Sequence, residues 1–359
     1  MKKIAVMPNL GDYNIPLKIL VERCLDMRVI QCPPTTKKTV EVGAKNSPDT
    51  ICTPYKITLG NFIDCLEQTD ATVLIMPGIA CRLGLYDVLQ KQALEDLGYK
   101  FEMLVLFDYA ANAMRLYNTL SKYNSGLTED DFNKVLDTVV RIVLDMDELA
   151  DYRRRNGAFE ITKGEFEKNY KAYLVKALEV KDAAEAKKLG AEYKKVFKSI
   201  KVVKPKKPIR IGLIGDLYSV FEPHGNCDIE RWLAANGVEI VRDMDLTCTV
   251  KTMLDLGSLK QLIASSGGYV DYHIGGVANI TVSHAYGMAK RGVDGLIHMK
   301  AASCSPEITA MSILQNISRD LDTPIIYLTF DTETSEAGLH TRLEAFLDML
   351  NMKKVKCKK

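Results

Sequence analysis

Residues 71–107, A-T-V-L-I-M-P-G-I-A-C-R-L-G-L-Y-D-V-L-Q-K-Q-A-L-E-D-L-G-Y-K-F-E-M-L-V-L-F, decide the fold. The apolar run 71–76 is too short for a helix and is bounded by Pro77 and Gly78, so it reads as a buried strand. Tyr86 to Leu97 carries helical spacing, and 101–107 is a second apolar run. A strand, a helix and another strand within 37 residues form a right-handed crossover unit, which requires a parallel sheet covered on both faces.

The same alternation extends in both directions. Towards the N-terminus, I-A-V-M (4–7) and M-R-V-I-Q (27–31) read as strands, with helical spacing over 14–25 and from Lys56 to Gln68. After residue 110 the strand signals stop. Thr128 caps a helix with Phe132, Val135, Leu136, Val139, Val140, Val143 and Leu144 on its apolar stripe. Thr162-Lys-Gly-Glu165 has the form of a capping box, and its helix carries Tyr170, Tyr173, Leu174, Ala177 and Leu178, a stripe read as core. From Ile209 the alternation resumes, with strands at 209–214, 238–241, 295–299 and 324–330 and helices at 228–236, 307–319 and about 340–351. The expected architecture is α/β: two doubly wound, Rossmann-like parallel-sheet domains with a helical insert between them. The boundaries are 1–110, 111–204 for the helical segment and basic linker, 205–352, and a basic tail 353–359. K-K-V-F-K-S-I-K-V-V-K-P-K-K-P (194–208) reads either as a solvated linker or as a docking surface for an acidic partner.

Composition is that of an ordinary globular chain, 47% hydrophobic and 26% charged. A net charge of +2 gives no electrostatic argument for a nucleic-acid partner. No apolar run approaches the roughly 20 residues of a membrane span. The opening M-K-K-I-A-V-M has too short an apolar core for a secretion signal, so a cytoplasmic location is expected. There is no G-x-x-x-x-G-K-[S/T] and no G-x-G-x-x-G, so ATP hydrolysis and dinucleotide binding by this chain are not expected.

The nine cysteines carry the chemistry: Cys24, Cys32, Cys52, Cys65, Cys81, Cys227, Cys248, Cys304 and Cys357. An odd number without a secretion signal argues against a disulfide framework. The absence of C-x-x-C argues against zinc ribbons and ferredoxin-type clusters. Cys52, Cys81 and Cys304 each stand where a strand-like or loop segment gives way to a helix-like one, and Pro54 and Pro306 follow Cys52 and Cys304 by two residues. Proline suits the first turn of a helix. A cysteine just ahead of that turn faces backbone N–H groups and the positive end of the helix dipole, which favours the thiolate. Three such thiolates suggest an iron–sulfur cluster with one iron left open; the alternative is three buried packing cysteines. Cys32, in V-I-Q-C-P-P, is a further ligand or a near neighbour; Cys24, Cys65, Cys227 and Cys248 read as packing residues and Cys357 as a thiol in the tail.

These motifs resemble the 2-hydroxyacyl-CoA dehydratase superfamily. C-T-P-Y-K-I-T-L-G-N-F looks like its first cysteine motif, P-G-I-A-C-R-L-G-L-Y its second, and C-S-P-E its third. I-G-L-I-G-D-L-Y with P-H-G-N-C-D-I fits the start of its second domain, and D-T-E-T-S-E-A-G-L-H-T-R-L-E-A-F (331–346) resembles the end of the activase-associated branch. The resemblance implies that Cys52, Cys81 and Cys304 hold the cluster in the cleft between the two domains. The cluster would be either a single 4Fe–4S cubane or a double-cubane 8Fe–9S form. It also implies low-potential electrons from an ATP-hydrolysing activase, and a homodimer or a heterodimer with a longer homologue. The substrate would be an acyl-CoA, dehydrated through a ketyl radical, or a small molecule that is reduced. This chain is short and shows no recognisable acyl-CoA site, so a non-catalytic or electron-carrying partner subunit is the alternative.

Around this triad, Arg82 reads as a cation beside a reduced cluster or as a surface salt-bridge partner. Lys56 lies one turn beyond Cys52. Glu307 is a proton donor near the open iron or simply an acid favoured at a helix N-terminus. His298 is a hydrogen-bond donor behind Cys304 or a packed histidine, and with no H-E-x-x-H pattern no zinc site is expected. Tyr218, His224 and Asn226 follow the strand 209–214 and read as lining for a substrate pocket. Gly275, Gly276 and Ser283 belong either to a close backbone approach to a ligand or to a turn.

Overall fold

Among the described residues, eight strands form two four-stranded sheets, every pairing parallel. The computed structural model describes residues 2–78, 85–107, 112–254 and 256–356. Cys81, Arg82 and Cys357 lie outside these. In chain order the elements are β1 (Ile4–Met7), α1 (Asn14–Leu25), β2 (Arg28–Gln31), α2 (Lys37–Lys45), α3 (Thr53–Gln68), β3 (Val73–Met76), α4 (Tyr86–Asp96), β4 (Glu102–Val105), α5 (Ala113–Tyr123), α6 (Glu129–Asn156), α7 (Glu165–Ala177), α8 (Ala183–Ser199), β5 (Ile209–Gly215), α9 (Leu217–Phe221), α10 (Ile229–Ala235), β6 (Val238–Val241), α11 (Leu246–Leu254), α12 (Leu256–Ala264), α13 (Ala278–Lys290), β7 (Gly295–Ala301), α14 (Ser305–Asp320), β8 (Ile325–Phe330) and α15 (Glu336–Lys356). The two α/β sheets stand as the sequence implied.

Two compact units emerge, one of residues 1–149 and 168–199, the other of residues 150–167 and 200–359. The first holds the sheet ordered β2-β1-β3-β4. Its core packs β3, all four residues buried, against the apolar face of α3: Tyr55, Leu59, Phe62, Ile63 and Cys65. That spacing keeps one face of the helix on the sheet, and each large side chain so buried contributes about 1.5–3 kcal/mol. Helix α2 was not anticipated, because K-K-T-V-E-V-G-A-K offers few apolar residues. It forms because Thr36 and Thr39 make a reciprocal capping box and because it crosses α3 at van der Waals contact through two glycines. A Cβ on Gly43 would lie 1.8 Å from the Lys56 carbonyl oxygen, and one on Gly60 would lie 2.0 Å from that of Thr39.

Helix α6 starts after Thr128, whose hydroxyl accepts from the Asp131 N–H at 3.1 Å. Its buried face is Phe132, Val139, Ile142, Met146 and Leu149. Val140 and Leu144, counted with that stripe from sequence, are 48% and 40% exposed, so the stripe is rotated from the one expected. At the start of α7 the N–H groups of Gly164 and Phe166 are bonded by the Glu160 carboxylate.

The second unit holds β6-β5-β7-β8, the same order of strands as the first. One face of this sheet is filled by Ile211, Leu213, Ile297, Met299, Leu328 and Phe330 with Leu339, Leu343 and Phe346 of α15. The other face takes Ile214, Val241 and Leu296 against Ala278, Val282 and Ala285 of α13 and Leu314 of α14. Both faces are covered, which is why all seven residues of β7 are buried, His298 and Lys300 included. In each sheet the connections leave the two central strands, β1 and β3 or β5 and β7, in opposite directions. The carboxyl edge between such strands is where open α/β sheets accept ligands. Among the described residues, no helix is long and apolar enough to cross a membrane.

Candidate functional site

Cys52 and Cys304 occupy equivalent local settings, each in the unit that contains it. Cys52 is the N-cap of α3 and Cys304 the N-cap of α14, both with extended backbone and both with proline in the first turn, Pro54 and Pro306. Each N-cap carbonyl accepts the first bond of its helix, from Tyr55 N at 3.0 Å and from Ile308 N at 3.0 Å. Proline costs nothing at this point because the missing N–H has no intrahelical acceptor. Each sulfur therefore stands at the positive end of a 16-residue helix dipole. Cys304 is preceded by Ser303 at φ +64°, a left-handed turn that carries the chain from β7 into α14.

Cys52 is 9% exposed, and its sulfur contacts the hydroxyl of Tyr86, the first residue of α4. Tyr86 packs edge-on against Tyr55 at 5.1 Å, and Gln90, one turn further along α4, donates to the Tyr55 carbonyl at 3.1 Å and to Thr58 Oγ1 at 2.8 Å. Sequence reasoning missed Tyr86; its signal was its position, five residues after Cys81 in P-G-I-A-C-R-L-G-L-Y. Cys81 and Arg82 themselves lie outside the described residues. Asn61, buried in α3, ties the neighbouring loops together: its amide oxygen accepts from Asn9 N at 3.2 Å and its amide nitrogen donates to Thr35 Oγ1 at 3.1 Å.

The remaining cysteines behave differently. Cys32 points its thiol at the Asn61 carbonyl, 3.4 Å away, and burial with the adjacent Cys65 holds its pKa well above the usual range. Burial likewise pushes Cys24 up to about 12. Both are buried in the core of their unit, where desolvation favours the neutral thiol. Cys248 lies 3.7 Å from His284 Nε2 on α13. Lys56 donates to the Asp49 carbonyl at the surface, at 3.2 Å.

His298 and Glu307, named separately from the sequence, meet in the structure. Both are wholly buried, with His298 Nε2 2.8 Å from Glu307 Oε2. The Thr281 hydroxyl lies 3.0 Å from Glu307 Oε1 and 3.1 Å from the Gly215 carbonyl. The imidazole sits edge-on to Tyr327 at 5.5 Å, and its Nδ1 finds no hydrogen-bond partner among the described residues. Glu307 thus points inward from the first turn of α14 and anchors the helix that carries Cys304. Asp216 makes the second anchor. Its N–H donates to Met299 O at 3.0 Å, and its carboxylate accepts from Ser219 N at 3.0 Å and from Ala301 N at 2.6 Å. Burial raises its pKa. Since Cys304 N donates to the Ala301 carbonyl at 3.2 Å, the Ala301 residue links the loop after β5 to the cysteine turn after β7.

Tyr218 lies on α9, the short helix that follows β5, rather than in a loop, while His224 and Asn226 lie in the turn between α9 and α10. Gly275 and Gly276, at φ +110° and +52°, make the turn into α13. Ser283 is buried, bonded to Ser265 Oγ at 2.6 Å and Leu262 O at 3.0 Å, a packing role.

Among the described residues, no three His, Cys, Asp or Glu side chains gather as a metal site. Comparison with curated proteins returns no match. The family model of the 2-hydroxyglutaryl-CoA dehydratase D-component matches residues 23–350, nearly the whole chain, and the protein belongs to that family.

Proposed function

We propose that this dehydratase-like component is an iron–sulfur subunit whose cluster is held by Cys52, Cys81 and Cys304. The observation that carries the reading is the repeated Cys-x-Pro start of α3 and α14, in a chain of this family. The donor chemistry fits the group: thiolate sulfur is the ligand of iron–sulfur clusters, and a helix N-terminus stabilises the negative charge of sulfur and cluster alike. When bound, such a cluster supplies single electrons at low potential and, with only three protein thiolates, one iron open to an outside ligand. The chain's own residues then have separable duties. The Tyr86 hydroxyl contacts the Cys52 sulfur; a hydrogen bond to a ligating sulfur raises a cluster's potential. Glu307 and His298 fix the first turn of α14 from the core side.

The absence of a nucleotide-phosphate motif fits delivery of electrons by a separate ATP-hydrolysing activase. A three-thiolate site suits substrate binding or cluster bridging better than simple electron carriage, because a fourth cysteine would shield the cluster. The substrate is an acyl-CoA or a small reducible molecule.

The test is anaerobic reconstitution with iron and sulfide, followed by iron analysis and visible absorption. Cys52→Ala, Cys81→Ala and Cys304→Ala should each lose most of the bound iron, while Cys24→Ala and Cys357→Ala keep it. Full iron content in all three of the first set rules out the ligand assignment. Turnover with activase, ATP and a 2-hydroxyacyl-CoA then distinguishes a catalytic subunit from an electron-carrying one.

A further inference from the structure

Helix α9, which follows β5, carries Tyr218, read from the sequence as pocket lining, and ends in a buried acid that nothing above uses. Glu222, at the C-terminal end of α9, is 5% exposed. Its carboxylate accepts from the backbone N–H groups of Gly225 and His224. Burial still outweighs those bonds and raises its pKa to about 7. Tyr218, one turn earlier on α9, is 6% exposed, and its hydroxyl finds no hydrogen-bond partner among the described residues. Buried polar groups in folded proteins are almost always hydrogen-bonded, so an unpartnered hydroxyl calls for an explanation. The two groups converge. A Cβ built on Gly225 would stand 3.2 Å from Glu222 Oε2 and equally 3.2 Å from the Tyr218 ring edge. Glycine at 225 lets the loop close over both.

The loop is built to hold this arrangement. Asn226 donates to the Ser219 carbonyl at 2.8 Å and accepts from Ile229 N at 3.2 Å. Asp228 N donates to the Pro223 carbonyl at 2.7 Å. Cys227 and Asp228 are both left-handed, at φ +55° and +50°. Two consecutive non-glycine residues in that region store strain, a feature that clusters at ligand sites. The loop is also tied to the cysteine turn: Asp216 caps α9 and bonds Ala301 N, while Ala301 O receives Cys304 N. The other ionisable groups around it are Asp216 and His224, Cys227 with Glu336 near it, and Arg242, which donates to the Val220 carbonyl at 3.0 Å.

We propose that Tyr218 and Glu222 form an oxygen-binding, proton-donating subsite for a small neutral carbonyl or hydroxyl ligand at the carboxyl edge of the second sheet. The Tyr218 hydroxyl donates a hydrogen bond to the ligand oxygen. Protonated Glu222 transfers its proton to that oxygen as negative charge develops there: the Glu222 O–H bond breaks, a ligand O–H bond forms, and the carboxylate left behind is held by the Gly225 and His224 N–H groups. The use of that proton in a reductive step rests on the function proposed above; the subsite itself does not.

The test uses the full-length, metal-free chain with 3-fluorotyrosine at position 218, observed by fluorine NMR. The resonance should shift with pH about a midpoint near 7, the step should vanish in Glu222→Gln, and it should remain in His224→Asn. Circular dichroism confirms that each variant is folded. The probe 2-hydroxybutyramide, a small neutral hydroxy-carbonyl compound, should shift the same resonance, and Tyr218→Phe in the unlabelled protein should weaken probe binding roughly fivefold, the worth of one neutral hydrogen bond. A resonance indifferent to pH, a step that persists in Glu222→Gln, or a resonance unmoved by the probe overturns the proposal. Because no cluster is present in this experiment, its failure is independent of any failure to reconstitute iron.

Discussion

Replacing Gly43 or Gly60 by alanine should separate α2 from α3 and destabilise the unit that carries Cys52. The methyl group would be placed 1.8 Å from the Lys56 carbonyl oxygen in the first case and 2.0 Å from the Thr39 carbonyl oxygen in the second. Both obstacles are backbone atoms of regular helices, so no side chain can swing aside. Ordinary contact needs well over 3 Å, and the helices must therefore part by more than about 1 Å along their whole crossing. Overpacking of a core costs about 1–3 kcal/mol when side chains can adjust. With backbone on both sides the cost should reach at least the top of that range, about 3 kcal/mol. For a unit of 150–250 residues that corresponds to a fall in Tm of about 6–12 °C. Calorimetry of the metal-free protein reads the shift, and amide exchange should show lost protection confined to α2, α3 and their neighbours. Gly126→Ala is the control, because the added carbon meets only Asn124 Oδ1 at 3.4 Å and should change stability by less than about 0.5 kcal/mol. If Gly43→Ala and Gly60→Ala both melt within about 1 °C of the parent, the close helix crossing is wrong.

Three other outcomes are expected. The pKa of Glu222, raised from 4.5 to about 7, means that its burial favours the protonated form; that stabilisation is complete below about pH 4.5 and is lost as pH rises through about 7, a swing of about 3 kcal/mol. Glu222→Gln should therefore show a flatter stability profile across that window by urea unfolding, and parallel profiles for parent and variant would remove the argument. Phe62→Ala, at a fully buried position against β3, should cost about 3–5 kcal/mol by denaturant titration; a loss under about 1 kcal/mol would mean that α3 is not the core helix of its unit. A bridged double cubane needs two three-cysteine sites facing each other, so reconstituted protein should be a dimer by light scattering. A fully loaded monomer would leave only the single cubane.

The parts of the fold legible in the sequence were those with strong local signals. The runs 71–76 and 295–299 read as strands and the structure has strands at Val73–Met76 and Gly295–Ala301, and Pro54 and Pro306 marked helix starts that the structure places at Thr53 and Ser305. Helix α2 was not legible because its stability comes from a long-range glycine contact rather than from an apolar stripe. The stripe on α6 was misread at two of its seven positions, because Val140 and Leu144 fit helical spacing yet lie beside the buried face rather than on it. At the candidate site, single residues could be picked out from composition and position, but pairings could not. His298 and Glu307 are nine residues apart on different elements, and only the turn between β7 and α14 brings them within 2.8 Å. Tyr86 and Cys52 meet across 34 residues, and Glu222 drew no notice because an acid in a loop is usually solvated.

The two units interleave along the chain, since 150–167 belongs with the second and 168–199 returns to the first. This has a consequence for synthesis on the ribosome. The first unit cannot be completed when its sheet has emerged; it must wait for α8, while the intervening 18 residues remain without their partners until the second sheet is made. No single cut in the chain yields both units whole. A fragment ending near residue 150 would carry Cys52 and the entire first sheet yet lack Lys168–Ser199, and it should be degraded in cells unless the missing segment is supplied in trans.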